Sequence, residues 1–199
     1  MIRNFVFDMG GVLIHWLPQK AFENQSEEDG KLLYGAIYGS ADWKAFDHGD
    51  FGEKEMIARA KARLPERLHY DAVRLVRWYE LTEPVAGMED LAREIREAGY
   101  ALYLLSNTSS EFHRFRGRVP ALRYFDGEFI SADVHLLKPD PAIFRRFLEV
   151  FSLKPEESLF IDDWPPNVDG AESTGLAGIV FPGTAGELKS ILMEKHLLR

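Results

Sequence analysis

A doubly wound α/β fold with a helical insertion is what these 199 residues predict. Short apolar runs alternate with amphipathic helical patterns in the second half of the chain, as parallel strands and their crossover helices do. That alternation is interrupted between the first run and the second. The runs themselves are nearly continuous rather than strictly alternating, as expected of strands covered on both faces of a parallel sheet.

Five runs read as strands: Asn4 to Met9, Tyr100 to Leu105, Glu128 to Ser131, Ser158 to Ile161 and Ala177 to Phe181. Between the later ones, Met88 to Ala98 repeats Leu91, Ala92 and Ile95 on one face and stops at Gly99, a good helix terminator. Pro141 to Val150 sets Ile143, Phe144, Phe147 and Leu148 on one face, with Asp140 placed as its N-cap. A last helix is expected from Ala185 to Met193. From Leu17 to Pro84 the chain is helical, charged and aromatic, as in Glu55 to Arg63 and Asp71 to Tyr79, with no convincing strand. The expected division is therefore an α/β core of residues 1–16 and 85–199, with residues 17–84 as a small helical domain inserted after the first strand.

Bulk properties narrow the function. A net charge of −8 speaks against nucleic-acid binding, which needs a basic stripe. An anionic small molecule remains open, because a bound cation can override the global sign. With no cysteine, thiolate nucleophiles, thiolate metal sites and disulfides are excluded, and a reducing compartment suits the chain. Arg3 followed by an apolar run that Asp8 interrupts reads as neither a secretory leader nor a membrane span. The expectation is a soluble, cytoplasmic protein without membrane or nucleic-acid partners, monomeric or homodimeric.

In a doubly wound sheet, ligands bind beyond the carboxyl ends of the strands. Those positions hold Asp8-Met9-Gly10-Gly11 after the first run, Ser106-Asn107-Thr108 after the second, and Asp162-Asp163 at the fourth, while Lys138-Pro139 precedes a helix. Each has a bland explanation as a turn, cap or solvated charge. Their convergence on one sheet edge has a chemical one. A carboxylate such as Asp8 can attack phosphorus and hold it as an aspartyl phosphate. Two anions must then approach each other, which calls for a hard cation. Magnesium takes oxygen ligands from carboxylates and phosphate, and Asp8 with Asp162 and Asp163 supplies them. Ser106, Asn107, Lys138 and backbone N–H groups at a helix start would hold the phosphoryl oxygens. Gly10 and Gly11 let the backbone come close to metal and phosphate.

Together these segments resemble the haloacid dehalogenase-like (HAD) hydrolase superfamily: Phe7-Asp8-Met9-Gly10-Gly11-Val12-Leu13, Leu105-Ser106-Asn107-Thr108, Lys138-Pro139, and Phe160-Ile161-Asp162-Asp163 followed by Asn167-Val168-Asp169-Gly170-Ala171. The likeness spans nearly the whole chain and is nearest to the helical-cap branch of bacterial sugar-phosphate (glucose-1-phosphate) phosphatases and epoxide-hydrolase N-terminal domains. It implies a Rossmann-like core, a cap at residues 17–84, and magnesium-dependent hydrolysis of a small phosphorylated metabolite, with a sugar phosphate the leading substrate class. It further implies Asp8 as nucleophile, the Gly10 main-chain carbonyl in the metal shell, and Asp163 rather than Asp162 as the more direct ligand. Gly10 departs from the usual pattern, since most phosphatases of the superfamily carry there a second aspartate that protonates the leaving oxygen. The departure keeps two other readings open: a phosphotransferase or mutase, and a weakly catalytic phospholigand-binding regulator. His15 is a candidate replacement acid because imidazole titrates near neutrality. Trp43, Phe46, Asp47 and His48 form the most ligand-like cluster of the insert, with Trp43 and His48 the candidate substrate contacts, and the insert is expected to close over the substrate.

Overall fold

The computed structural model describes residues 1–16, 22 and 25–198. Five parallel strands form one sheet in the order β3-β2-β1-β4-β5: β1 Asn4–Phe7, β2 Ala101–Ser106, β3 Gly127–Ile130, β4 Ser158–Asp162 and β5 Ala177–Val180. Each agrees with its expected run to within about two residues at either end. Every residue of β1 and β4 is buried, which is why those runs carry no polar alternation. Side chains instead divide between the faces in strict turn. Phe5 and Phe7 join Leu102, Leu104, Leu159 and Ile161 on one side, whereas Val6 and Phe160 pack with Phe144 and Phe147 on the other.

The chain leaves β1 toward β2 and β3, then returns to the opposite side for β4 and β5. Strand order therefore reverses beside β1, the place where an open α/β sheet leaves a crevice at its carboxyl edge. Asp8 follows β1 and Asp162 ends β4, so topology alone brings these two carboxylates to that crevice.

Helices cover the sheet. In chain order they are α1 Glu27–Ala36, α2 Ala41–His48, α3 Glu53–Ala62, α4 His69–Val76, α5 Met88–Glu97, α6 Phe112–Phe115, α7 Ser131–Val134, α8 Pro141–Phe151, α9 Pro165–Glu172 and α10 Ala185–Glu194. Asp140 caps α8 through its carboxylate on the Ala142 N–H at 2.8 Å. α4 stops three residues short of the expected Tyr79. A 3-10 turn at Trp78–Glu80 follows instead, and both aromatic rings pack on Phe115. Tertiary packing overrides helical periodicity there.

Between β1 and α5 the described residues contain helices and no strand of the sheet. They bury an apolar cluster of their own, including Leu33, Ile37, Phe46, Met56, Leu68 and Leu75. The expected start of the insert at Leu17 lies outside the described residues. Among those described, no helix is long and apolar enough to cross a membrane.

Three contacts fasten the end of α2 to α7. Ser131 Oγ donates to the Asp47 carbonyl at 2.6 Å, and His135 Nδ1 lies 3.0 Å from the His48 carbonyl. Gly49 ends α2 with φ +87°, and a Cβ there would collide with the Ala132 backbone. Only glycine meets both demands.

Candidate active site

Asp8 leaves β1 with its N–H bonded to the Ile161 carbonyl at 2.9 Å, so its backbone is registered against β4. The Met9 carbonyl then accepts from the amides of Val12, Leu13 and Ile14, closing a tight turn. Gly11 within it has φ +77°, and a Cβ on it would run into the Asp163 carboxylate. Both facts demand glycine, and together they set this loop against the end of β4.

Lys138 Nζ sits 2.7 Å from Asp8 Oδ1 and 2.6 Å from Asp162 Oδ2, with Lys138 and Asp162 both buried. Carboxylate oxygens of Asp8, Asp162 and Asp163 lie within 4.8 Å of one another. Burial pushes the Asp8 carboxyl up to about 7; the Lys138 ammonium works against that rise and the Asp162 charge adds to it. Burial alone would lower the Lys138 pKa, but the two carboxylates outweigh it and raise it. Partial burial and the Asp162 charge also raise Asp163. Three carboxylates thus share one ammonium, an excess of negative charge that a divalent cation would neutralise.

Asp162 is the most committed of the three. It accepts from the Trp164 N–H at 2.9 Å and from Asn167 Nδ2 at 3.0 and 3.1 Å, besides Lys138. Asp163 is exposed to the cavity. The carbonyl end of the Asn167 amide, Oδ1, is buried with no partner. An all-oxygen set of carboxylates with an orphaned amide oxygen close by suits magnesium in its chemistry.

Asn107 and Lys138 are bound reciprocally: Asn107 Nδ2 donates to the Lys138 carbonyl and the Lys138 N–H donates to Asn107 Oδ1, both at 2.9 Å. Asn107 therefore positions the lysine backbone across from Asp8. The buried Ser106 hydroxyl has no hydrogen-bond partner among the described residues and lines the cavity. One expectation is corrected here. No helix starts directly after Ser106, because the Thr108 N–H is taken by Ser131 Oγ at 2.9 Å and α6 begins only at Phe112.

These groups form one end of a cavity of about 660 Å³. Its lining brings together Asp8, Gly10, Gly11, Ser106, Asn107, Lys138, Asp163 and Trp43 of the sequence candidates. His15 and His48 are not among its lining residues. The His15 N–H is bonded to the Glu83 carbonyl, and His48 Nδ1 pairs with Asp50 at 2.6 Å. Trp16, Tyr38, Trp78 and Trp164 also line the cavity and were missed as site residues, as was Asn167. Asn167 had a signal, standing five residues after Asp162 at the start of α9. The aromatic residues had none, because they are scattered along the chain and meet only in space.

An α/β core gathers carboxylates beyond β1 and β4, at the sheet edge where enzymes of this architecture bind their ligands. The haloacid dehalogenase-like hydrolase family profile matches residues 2–175, and the chain belongs to that family. A sesquiterpene phosphatase of Aspergillus oryzae is 27% identical over 175 residues, 87% of each chain. A phosphoserine phosphatase of Thermus thermophilus is 34% identical over 93 residues, which is 46% of this chain and 37% of that one. A HAD family enzyme of Bacteroides thetaiotaomicron, solved as its magnesium complex, superposes with a TM-score of 0.76 at 25% identity, covering 96% of this chain and 98% of that one.

Proposed function

We propose that the protein is a magnesium-dependent phosphatase that hydrolyses a small phosphate monoester through an aspartyl phosphate on Asp8. The observation that carries this reading is the meeting of three carboxylates within 4.8 Å, with a buried ammonium 2.7 Å from the nucleophile candidate. The names of the related phosphatases and the magnesium complex of the related structure point the same way. Asp8, the Gly10 carbonyl and the cavity-facing Asp163 would hold the metal, while Asp162, already saturated by other partners, would add its charge from behind. Bound there, magnesium would offset the charge of phosphate and carboxylates. Asp8 attacks in line; Lys138, held by Asn107, and the free Ser106 hydroxyl steady the equatorial oxygens. Positioning and electrostatics supply most of the rate in such transfers.

Residues 17–84 act as a cap in this reading, supported by their separate apolar cluster. Beside these polar groups the lining is aromatic: Trp16, Tyr38, Trp43, Trp78 and Trp164. It suits a leaving group with an apolar or ring face, and sugar rings stack on aromatic side chains as well. A cysteine-free chain fits the reducing cytoplasm.

The test is phosphate release from an aryl phosphate and from panels of sugar and prenyl phosphates, with and without magnesium, beside Asp8→Asn. Turnover that needs the metal and falls below about 10⁻⁴ of wild type in the variant is expected. Binding of inorganic phosphate without any turnover would replace the enzyme with a phospholigand sensor.

A further inference from the structure

Gly10 leaves the reaction without a group to protonate the departing oxygen, and a second carboxylate in the cavity has no other employment. Asp47, at the end of α2, lines the same cavity as Asp8. Among the described residues of 17–84 it is the only carboxylate in that lining. No hydrogen bond or ion pair engages its carboxyl group among the described residues, although the side chain is half-buried. Its backbone is fixed by the Ser131 hydrogen bond to its own carbonyl, by the collision that awaits any side chain at Gly49, and by the His135 contact to the next carbonyl. Firm placement of an acid that binds nothing is costly unless a ligand completes it.

Two other proton-bearing side chains of the cavity are occupied. Lys138 is shared between Asp8 and Asp162, and the Tyr38 hydroxyl donates to the Leu75 carbonyl at 2.7 Å. His15 is outside the lining. Burial first, and the Asp8 charge second, raise the Asp47 carboxyl well above the ordinary range, which favours the protonated form that an acid needs.

We infer that Asp47 is the proton donor and acceptor of the reaction, supplied from the cap in place of the aspartate that Gly10 lacks. The inference rests on the phosphatase reading above. As an Asp8 oxygen bonds to phosphorus and the ester P–O bond breaks, the Asp47 carboxyl passes its proton to the leaving oxygen and an alcohol departs. The Asp47 carboxylate then takes a proton from water as the water oxygen bonds to phosphorus, releasing phosphate and restoring both side chains.

A leaving-group series tests this in the full-length enzyme with magnesium. p-Nitrophenoxide departs without a proton, whereas an alkoxide does not. Asp47→Asn is expected to lower kcat/KM for an alkyl phosphate by about 10² to 10⁴ and for p-nitrophenyl phosphate by less than about tenfold. A second variant asks for rescue. A Cβ at Gly10 would meet only Trp16 Cβ at 3.7 Å, ordinary contact, so Gly10→Asp fits. Added to Asp47→Asn, it should restore much of the alkyl phosphate rate. Equal losses on both esters would overturn the inference while leaving the phosphatase standing. A wild-type protein inert on both esters would overturn the phosphatase reading and the inference with it.

Discussion

Two parts of the cavity lining are built on opposite plans. At the carboxylate cluster, short segments after β1, β2 and β3 and the end of β4 deliver polar groups that are nearly all spoken for: Lys138 bonds two carboxylates, the Asp162 carboxylate has three donors around it, and Asn107 grips Lys138 twice. The rest of the lining is aromatic side chains from dispersed positions, together with the unengaged carboxyl group of Asp47. A mutually satisfied polar network fixes its members rigidly, since losing any one strands the others in a low dielectric. An aromatic wall tolerates change, because each face contributes area more than direction. The carboxylate cluster should therefore be brittle in both stability and rate, and the aromatic lining should tune selectivity.

Lys138→Met is the sharpest way to break that contrast. It leaves Asp8 and Asp162 buried without their ammonium, and removing one partner of a buried pair costs about 3–5 kcal/mol. Chemical denaturation should register that loss, and kcat should fall with it. A stability change below about 1 kcal/mol would mean the network is not rigid. Next in size is the response to metal. Three carboxylates around one ammonium should bind magnesium in the folded state only, so ten times the dissociation constant would add about 1.4 kcal/mol and raise Tm by about 3–5 °C. Differential scanning fluorimetry against a chelator reads this directly, and Asp163→Asn should shrink the shift. Trp43→Ala, in the aromatic lining, should raise KM about fivefold with kcat nearly unchanged, as expected for about 1 kcal/mol of stacking contact. A kcat loss larger than the KM change would move Trp43 into the chemistry.

The smallest effect concerns neither part but the scaffold that carries Asp47. Asp42 on α2 pairs with Arg59 of α3 and with Arg63 just past its end, and the Arg63 hydrogen bond in particular lowers its carboxyl pKa below 3.8. A depressed carboxyl contributes its stability above its unfolded value and loses it as pH falls through the folded one. Both arginines are well exposed, so Asp42→Asn should cost no more than about 1 kcal/mol at pH 7. That difference should vanish on acidification below pH 3.8, measured by paired urea titrations.

Legibility followed the same divide. The carboxylate cluster was readable because parallel-sheet topology turns residues after apolar runs into neighbours, so Asp8, Ser106, Lys138 and Asp163 could be placed without coordinates. Helix α8 announced itself through Asp140 and its apolar stripe. The segment after Ser106 misled, since a Ser131 hydroxyl far along the chain occupies an amide that local sequence would give to a helix. Trp16, Tyr38, Trp78 and Trp164 carry no shared spacing, and aromatic residues in a helical segment look alike whether they face a core or a cavity. In the sequence Asp47 reads only as a member of its cluster, behind Trp43 and His48, because its freedom from partners is visible only once every neighbour has been located.

The fastening of α2 to α7 bears on how substrate gets in. Pinned at Ser131, Gly49 and His135, the end of α2 and the Asp47 backbone are held against α7. Trp16 and Trp164, the two cavity aromatics left 40% and 53% open to solvent, have no such anchor on their rings among the described residues, so a ligand has more room to displace those rings than to shift Asp47.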